Sequence, residues 1–232
     1  MSVTAEFSER YLGTDNVFLK TLVDLFIRPH KVINGYINGQ RKTYVNPASF
    51  YFISLTLIGL QVFLLKRFFP ELLGLNGLSD QKNIFQLMNF FYDYMGLLTS
   101  IFIPAYALTG WIVFLDIKKF NFAEHIVFYI YVLGWFNIVI AISTPLIMLF
   151  NIPYSFMSFL ISLFSVVMIA WSYKACFQLN FGQTLLKTLF AILLYGVVQL
   201  IFILIIISIV MAGLYFFSPE TLTDFKIFTS GT

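Results

Sequence analysis

Residues 28–50 read RPHKVINGYINGQRKTYVNPASF. Two prolines, Pro29 and Pro47, bracket the stretch. Between them lie the basic side chains of His30, Lys31, Arg41 and Lys42, the glycines Gly35 and Gly39, and the aromatics Tyr36 and Tyr44. Upstream the chain is mixed and moderately polar. Downstream it turns apolar at once, with ASFYFISLTLIGLQVFLL over residues 48–65. The stretch therefore reads as a hinge between a surface segment and a membrane domain.

Composition agrees. Hydrophobic residues make up 59% of the 232 residues and charged residues 11%, where soluble domains carry about 25% charged residues. Mean hydropathy is +0.87. Several runs approach the roughly 20 apolar residues that cross a bilayer core. A single cysteine, Cys176, excludes an internal disulfide and a cysteine-rich zinc site. Residues 1–20 lack the basic start, apolar run and small-residue cleavage site of a signal peptide, so none is expected.

The expected fold is all-α, a five-span membrane helix bundle with an amphipathic N-terminal segment. Residues 1–45 form that segment, 46–217 the membrane domain and 218–232 a short tail. Thr14 or Asp15 can cap a first helix, in which Phe18, Leu22, Leu25 and Phe26 recur at helical spacing. Pro29 interrupts it. Val32, Ile33, Tyr36 and Ile37 continue the stripe, and Gly39 can end it in a left-handed conformation. This segment suits the membrane interface or packing against the ends of membrane helices. The spans are expected at about 48–65, 94–115, 126–150, 154–173 and 188–217. Pro47 starts the first. Pro104 bends the second. Residues 68–94 form the longest loop, with turn chemistry at Pro70, Gly74, Asn76 and Gly77, a cap at Ser79-Asp80, and a short interfacial helix carrying Ile84, Leu87, Met88 and Phe91. Asp116 to Lys119, Asn151 to Pro153 and Lys174 to Lys187 are connectors, the last turning at Asn180-Phe-Gly182.

An odd number of spans puts the termini on opposite sides. With the N-terminus inside, ten basic residues lie inside and four (Lys66, Arg67, Lys82, Lys226) outside. Basic residues favour the cytoplasmic side, so N-in, C-out is expected.

Candidate chemistry is sparse. The expected spans hold no Asp, Glu, Lys or Arg, which argues against ion-coupled transport and proton relays. No metalloprotease, P-loop or dinucleotide motif occurs, so neither cofactor nor metal is expected. The inner face gathers Arg28, His30, Lys31, Arg41 and Lys42 with Glu124 and His125 at the start of the third span. Such a cluster can bind a lipid phosphate or another anion, or it can simply enforce topology. Ser158, Ser162 and Ser165 repeat at spacings of four and three. They form a packing face or, with Gln199, a solute pathway.

At Thr21-Leu-Val-Asp24, Arg28-Pro29, Tyr36-Ile-Asn-Gly39-Gln-Arg41 and Tyr44-Val-Asn-Pro47, the chain resembles a bacterial family of uncharacterised multi-spanning inner-membrane proteins. Glu124-His125 matches a Glu-His pair that opens a later span in many members. His30 stands where a glycine is usual, and the N-terminal zinc ribbon of longer members is absent. A looser likeness, in layout, is to Yip-type membrane proteins. The resemblance implies a bacterial inner membrane and carries no established activity. The leading expectation is a non-enzymatic scaffold that engages lipids, protein partners or further copies of itself at the cytoplasmic leaflet, with no nucleic-acid partner. A permease for a small solute is the alternative. A lipid-active enzyme using Glu124 and His125 comes third.

Overall fold

A computed structural model describes residues 17–69, 82–148 and 154–217. The N-terminal cap at Thr14 or Asp15, the turn residues 70–80, the turn at 151–153 and the tail lie outside the described residues. Within them the chain is helical: α1 Val17–Ile27, α2 Pro29–Ile37, α3 Pro47–Phe68, α4 Lys82–Asp93, α5 Met95–Ile101, α6 Ile103–Val113, α7 Phe122–Met148, α8 Tyr154–Phe177 and α9 Phe181–Phe217.

Five stretches are long and apolar enough to cross a membrane: Pro47–Phe68, Met95–Val113, Phe122–Thr144, Phe159–Phe177 and Phe181–Ile209. They are called spans 1 to 5. Phe52, Phe159, Leu186 and Leu193 stand exposed on their outer faces, a surface that suits lipid rather than water. The protein is a multi-pass membrane helix bundle. The 37-residue α9 is about 55 Å long at 1.5 Å per residue, well beyond a hydrocarbon core of roughly 30 Å.

Span 3 is the central helix and packs on spans 1, 2 and 4 and on both short N-terminal helices. Apolar burial drives helix association weakly in lipid, so close approach through small residues matters more. Gly134 provides it against span 1: a Cβ there would lie 3.1 Å from the Phe50 ring and 3.5 Å from the Tyr51 Cα. Gly110 provides it against span 3, where a Cβ would meet Tyr129 at 2.9 Å and His125 at 3.0 Å. These two close contacts come from glycines. Of the serines expected to form a packing face, Ser162 is exposed and Ser165 is half-buried; the Ser158 side chain lies outside the described residues.

The larger departures from the expected spans have local causes. Span 2 breaks outright, with Phe102 between α5 and α6. Pro104 lacks the N–H that would continue the ladder, and Ser100 at the break is braced by a 3.1 Å hydrogen bond with the Tyr51 hydroxyl. Span 3 starts at Phe122, four residues early, because Asn121 and Glu124 cap it reciprocally: each backbone N–H donates to the other's side chain, at 2.7 and 2.9 Å. The expected connector from Lys174 to Lys187 shrinks to residues 178–180. Asn180 and Gln183 form the same reciprocal cap, at 3.1 and 2.8 Å, so Gly182 is helical and Lys187 lies inside α9. Helix α4 forms where a short helix was expected; Met88 and Tyr92 pack on Leu65 of span 1, while Ile84, Leu87 and Phe91 stay exposed.

Candidate functional site

The hinge folds as a knot. Thr21 and Asp24, three residues apart, share the inward face of α1 and are buried. The Thr21 hydroxyl donates to the Val17 carbonyl at 2.6 Å and accepts the Val45 N–H at 3.1 Å. Asp24 accepts from Arg28 Nε and from the Tyr44 hydroxyl, both at 2.9 Å. Burial and this carboxylate push the Tyr44 hydroxyl up to about 12. Arg28 breaks the helical path, and Pro29 opens α2 at a position where its missing N–H costs nothing. Gly39 ends α2 with φ +90°. The Gln40 N–H reaches the Gly35 carbonyl and the Gly39 N–H reaches that of Tyr36, at 2.8 and 3.1 Å, the double bond pattern of a left-handed helix stop. Asn46 then caps span 1 by accepting from the Ala48 N–H.

Side chains of spans 3 and 4 fasten this knot. Tyr131 donates to the Val45 carbonyl at 2.7 Å, and Trp135 and Trp171 donate to the carbonyls of Leu22 and Phe26, both at 2.9 Å. The Phe26 carbonyl belongs to the last turn of α1, where helix geometry leaves it without a partner of its own. Val32 and Ile33 are fully buried in the main apolar cluster beside Cys176. The outer side of the hairpin is of two kinds. Leu19, Val23, Phe26 and Ile27 form an exposed apolar stripe on α1 with i, i+3 and i, i+4 spacing. His30, Lys31, Arg41 and Lys42 are exposed on α2 and the turn after it. Arg41 lies over the Tyr36 ring, 5.6 Å from its centre.

The expected seven-residue cluster therefore divides. Arg28 is tied to Asp24. Glu124 is spent on the cap of span 3. His125 points inward and is 1% exposed. Its Nδ1 meets the Asn121 carbonyl at 2.9 Å, and its ring sits among Phe114, Phe120 and Phe177. Its Nε2 is buried without a partner among the described residues. Adjacent helical residues point about 100° apart, so Glu124 faces the cap of span 3 while His125 faces the aromatic cluster.

Lysines cap the helices that end on this side. Lys119 Nζ donates to the Cys176 carbonyl at 2.6 Å, near the end of span 4. Lys187 Nζ donates to the Val113 carbonyl at 2.7 Å and to the Asp116 carboxylate at 2.5 Å, at the end of span 2. Cations are favoured at helix C-termini. Lys187 holds the Asp116 carboxyl below its usual value.

A feature the sequence reading missed lies just inside this capped end. Spans 2 to 5 form an open-sided pocket of about 230 Å³ lined by Tyr106, Thr109, Tyr129, Ser165, Tyr173, Thr188 and Tyr195 together with aliphatic side chains. The hydroxyls of Tyr129 and Tyr173 hydrogen-bond to each other. The rings of Tyr106 and Tyr195 stack with centres 4.4 Å apart. The four tyrosines come from four different helices, so no local spacing announces them. Gln199, further along span 5, keeps a buried Oε1 without a partner among the described residues. Among the described residues no group of three His, Cys, Asp or Glu side chains could hold a metal ion.

A family model described as a protein of unknown function, DUF3667, matches residues 15–59. That stretch covers the hairpin and ends within span 1, and the residues of the knot from Thr21 to Pro47 all lie inside it. No curated protein and no solved structure gives a significant match.

Proposed function

We propose that the protein is a non-enzymatic multi-pass protein of the bacterial cytoplasmic membrane. Its N-terminus lies inside and its C-terminus outside, and its N-terminal hairpin engages anionic lipid headgroups of the inner leaflet. The observation that carries this reading is a juxtaposition. The solvent-accessible apolar stripe Leu19, Val23, Phe26 and Ile27 lies on the same hairpin as the exposed basic set His30, Lys31, Arg41 and Lys42. An apolar stripe sinks to the level of the acyl chains while neighbouring cations meet phosphates. Each Lys or Arg near an anionic surface contributes about 1 kcal/mol. The knot beneath supports the same reading, because it ties the hairpin backbone to spans 3 and 4 and so sets where its basic residues stand.

The test is lipid analysis of the full chain extracted in native lipid discs, beside an Arg41→Ala/Lys42→Ala version. Enrichment of anionic lipid with the parent chain and its loss with the variant is the expected result. Identical bulk lipid around both would make these residues topology signals and end the proposal.

A further inference from the structure

We propose that the tyrosine-lined pocket binds the uncharged ring headgroup of a membrane-soluble compound bearing carbonyl oxygens, of the quinone class. Among the described residues, the polar side chains lining the pocket all carry hydroxyls, and no ionisable acid or base of the Asp, Glu, Lys or Arg type faces it. A charged ligand would be left uncompensated there. The hydroxyls are not equivalent. Thr109 and Ser165 spend their hydrogens on carbonyls of their own helices, those of Ala105 and Ser162. Tyr129 and Tyr173 share one hydrogen bond, which uses one of their two hydrogens and leaves the other to donate.

Thr188 is the most informative residue. Thr21, Thr56, Thr109 and Thr184 all bond back to a carbonyl four residues earlier. Thr188 does not. It is 6% exposed, it lines the pocket, and its hydroxyl has no partner among the described residues. A buried hydroxyl is costly to leave unpaired. Thr188 and the tyrosine pair thus offer donors that a ligand's acceptor oxygens would satisfy, and the tyrosine rings offer flat walls.

Place and size narrow the class. Thr188 directly follows Lys187, which marks the charged end of the bundle, and Tyr195 lies seven residues beyond Thr188, about 10 Å along the helix. The pocket therefore occupies a single leaflet, whose hydrocarbon half is roughly 15 Å deep. Ile192 is 46% exposed, and Ser165 and Val166 are half-buried, so the mouth opens sideways between spans 4 and 5, toward lipid. At about 230 Å³ it lies below the roughly 300–1,000 Å³ of drug-sized sites and suits one or two fused rings, with any tail left in the bilayer.

The probe is a decyl-substituted benzoquinone, titrated against the full chain in lipid discs with empty discs as background. Decylbenzene, which has the tail and ring without the carbonyls, is the comparison. Saturable binding of the quinone above background is expected, with decylbenzene at background. Thr188→Val keeps the shape and removes the hydroxyl, and should weaken binding about 3- to 10-fold, the range for one neutral hydrogen bond. Ala191→Leu fills the pocket and should abolish binding. Cys176 must stay unreactive to thiol reagents in both variants, which shows that the bundle is intact. If Ala191→Leu exposes Cys176, Ala191→Val replaces it with the same expectation of lost affinity. Quinone partitioning equally into empty discs, equal binding of decylbenzene, or unchanged affinity in Thr188→Val would each overturn the assignment. This site is independent of the hairpin, so its failure leaves the lipid-headgroup reading untouched.

Discussion

Replacing Tyr44 by Phe removes one hydroxyl and leaves the ring in place. The lost bond is 2.9 Å long and ends on Asp24. Asp24 is 5% and Tyr44 8% exposed. A hydrogen bond to a charged group contributes about 1.5–3 kcal/mol, and the carboxylate would keep Arg28 as its remaining partner. Thr21, Tyr131, Trp135 and Trp171 still hold the hairpin, so the substitution should loosen it without unfolding the bundle. The native Cys176 reports this opening. It is the single cysteine in the chain, it is fully buried in one cluster with Val32 and Ile33, and its carbonyl accepts from Asn34 at 3.4 Å. When the hairpin recloses faster than the reagent reacts, the labelling rate follows the opening equilibrium. The loss then appears as thiol labelling about 10- to 100-fold faster. Tyr36→Phe is the control, because among the described residues its hydroxyl meets the exposed Asn46 amide alone, at 3.4 Å, and it should change the rate less than about 3-fold. The Asp24–Tyr44 bond should also make Asp24→Asn and Tyr44→Phe non-additive in a double-mutant cycle. Labelling of Tyr44→Phe at the parent rate, or additivity in the cycle, would refute the knot as the anchor of the hairpin.

Alkaline pH should act on the same bond. The Tyr44 hydroxyl, at about 12 against an ordinary 10.0, favours the folded hairpin at any pH below 10 and loses that contribution as pH rises through 12, which susceptibility of residues 28–47 to proteolysis would reveal. Asp116 behaves oppositely: its lowered value contributes above an ordinary 3.8 and is lost as pH falls through the folded value, by a small amount because its side chain is 63% exposed. Gly110→Ala should destabilise the bundle by about 1–3 kcal/mol, since its Cβ would meet Tyr129 and His125 at or below 3.0 Å. Gly59→Ala, where nothing among the described residues lies within 4 Å, should instead be neutral or stabilise by about 0.5–1 kcal/mol; thermal melting in one detergent compares the two. Lys119→Met removes the donor to the Cys176 carbonyl, and thiol labelling should again quicken.

The membrane bundle, its five spans and the hairpin ahead of them are legible in the order of the residues alone. These follow from signals carried in short windows. Runs of about 20 apolar residues need no partner to be read, and Pro29, Gly39 and Pro47 act through their own backbone restrictions. Charge was less decisive about helix ends. Lys174 and Lys187 looked like loop residues, yet both are helical; Lys187 reaches back to the Val113 carbonyl, and the reciprocal caps at Asn121 and Asn180 set the starts of spans 3 and 5. The partners of the polar residues depend instead on which helices pack together. Arg28 and Glu124 belonged on paper to a basic-face cluster with His125, but Asp24 takes one, Asn121 takes another, and burial takes the histidine. The pocket was invisible for a plain physical reason: Tyr106, Tyr129, Tyr173 and Tyr195 each sit singly on a different helix. Only the packing of spans 2 to 5 brings their rings and hydroxyls to one place.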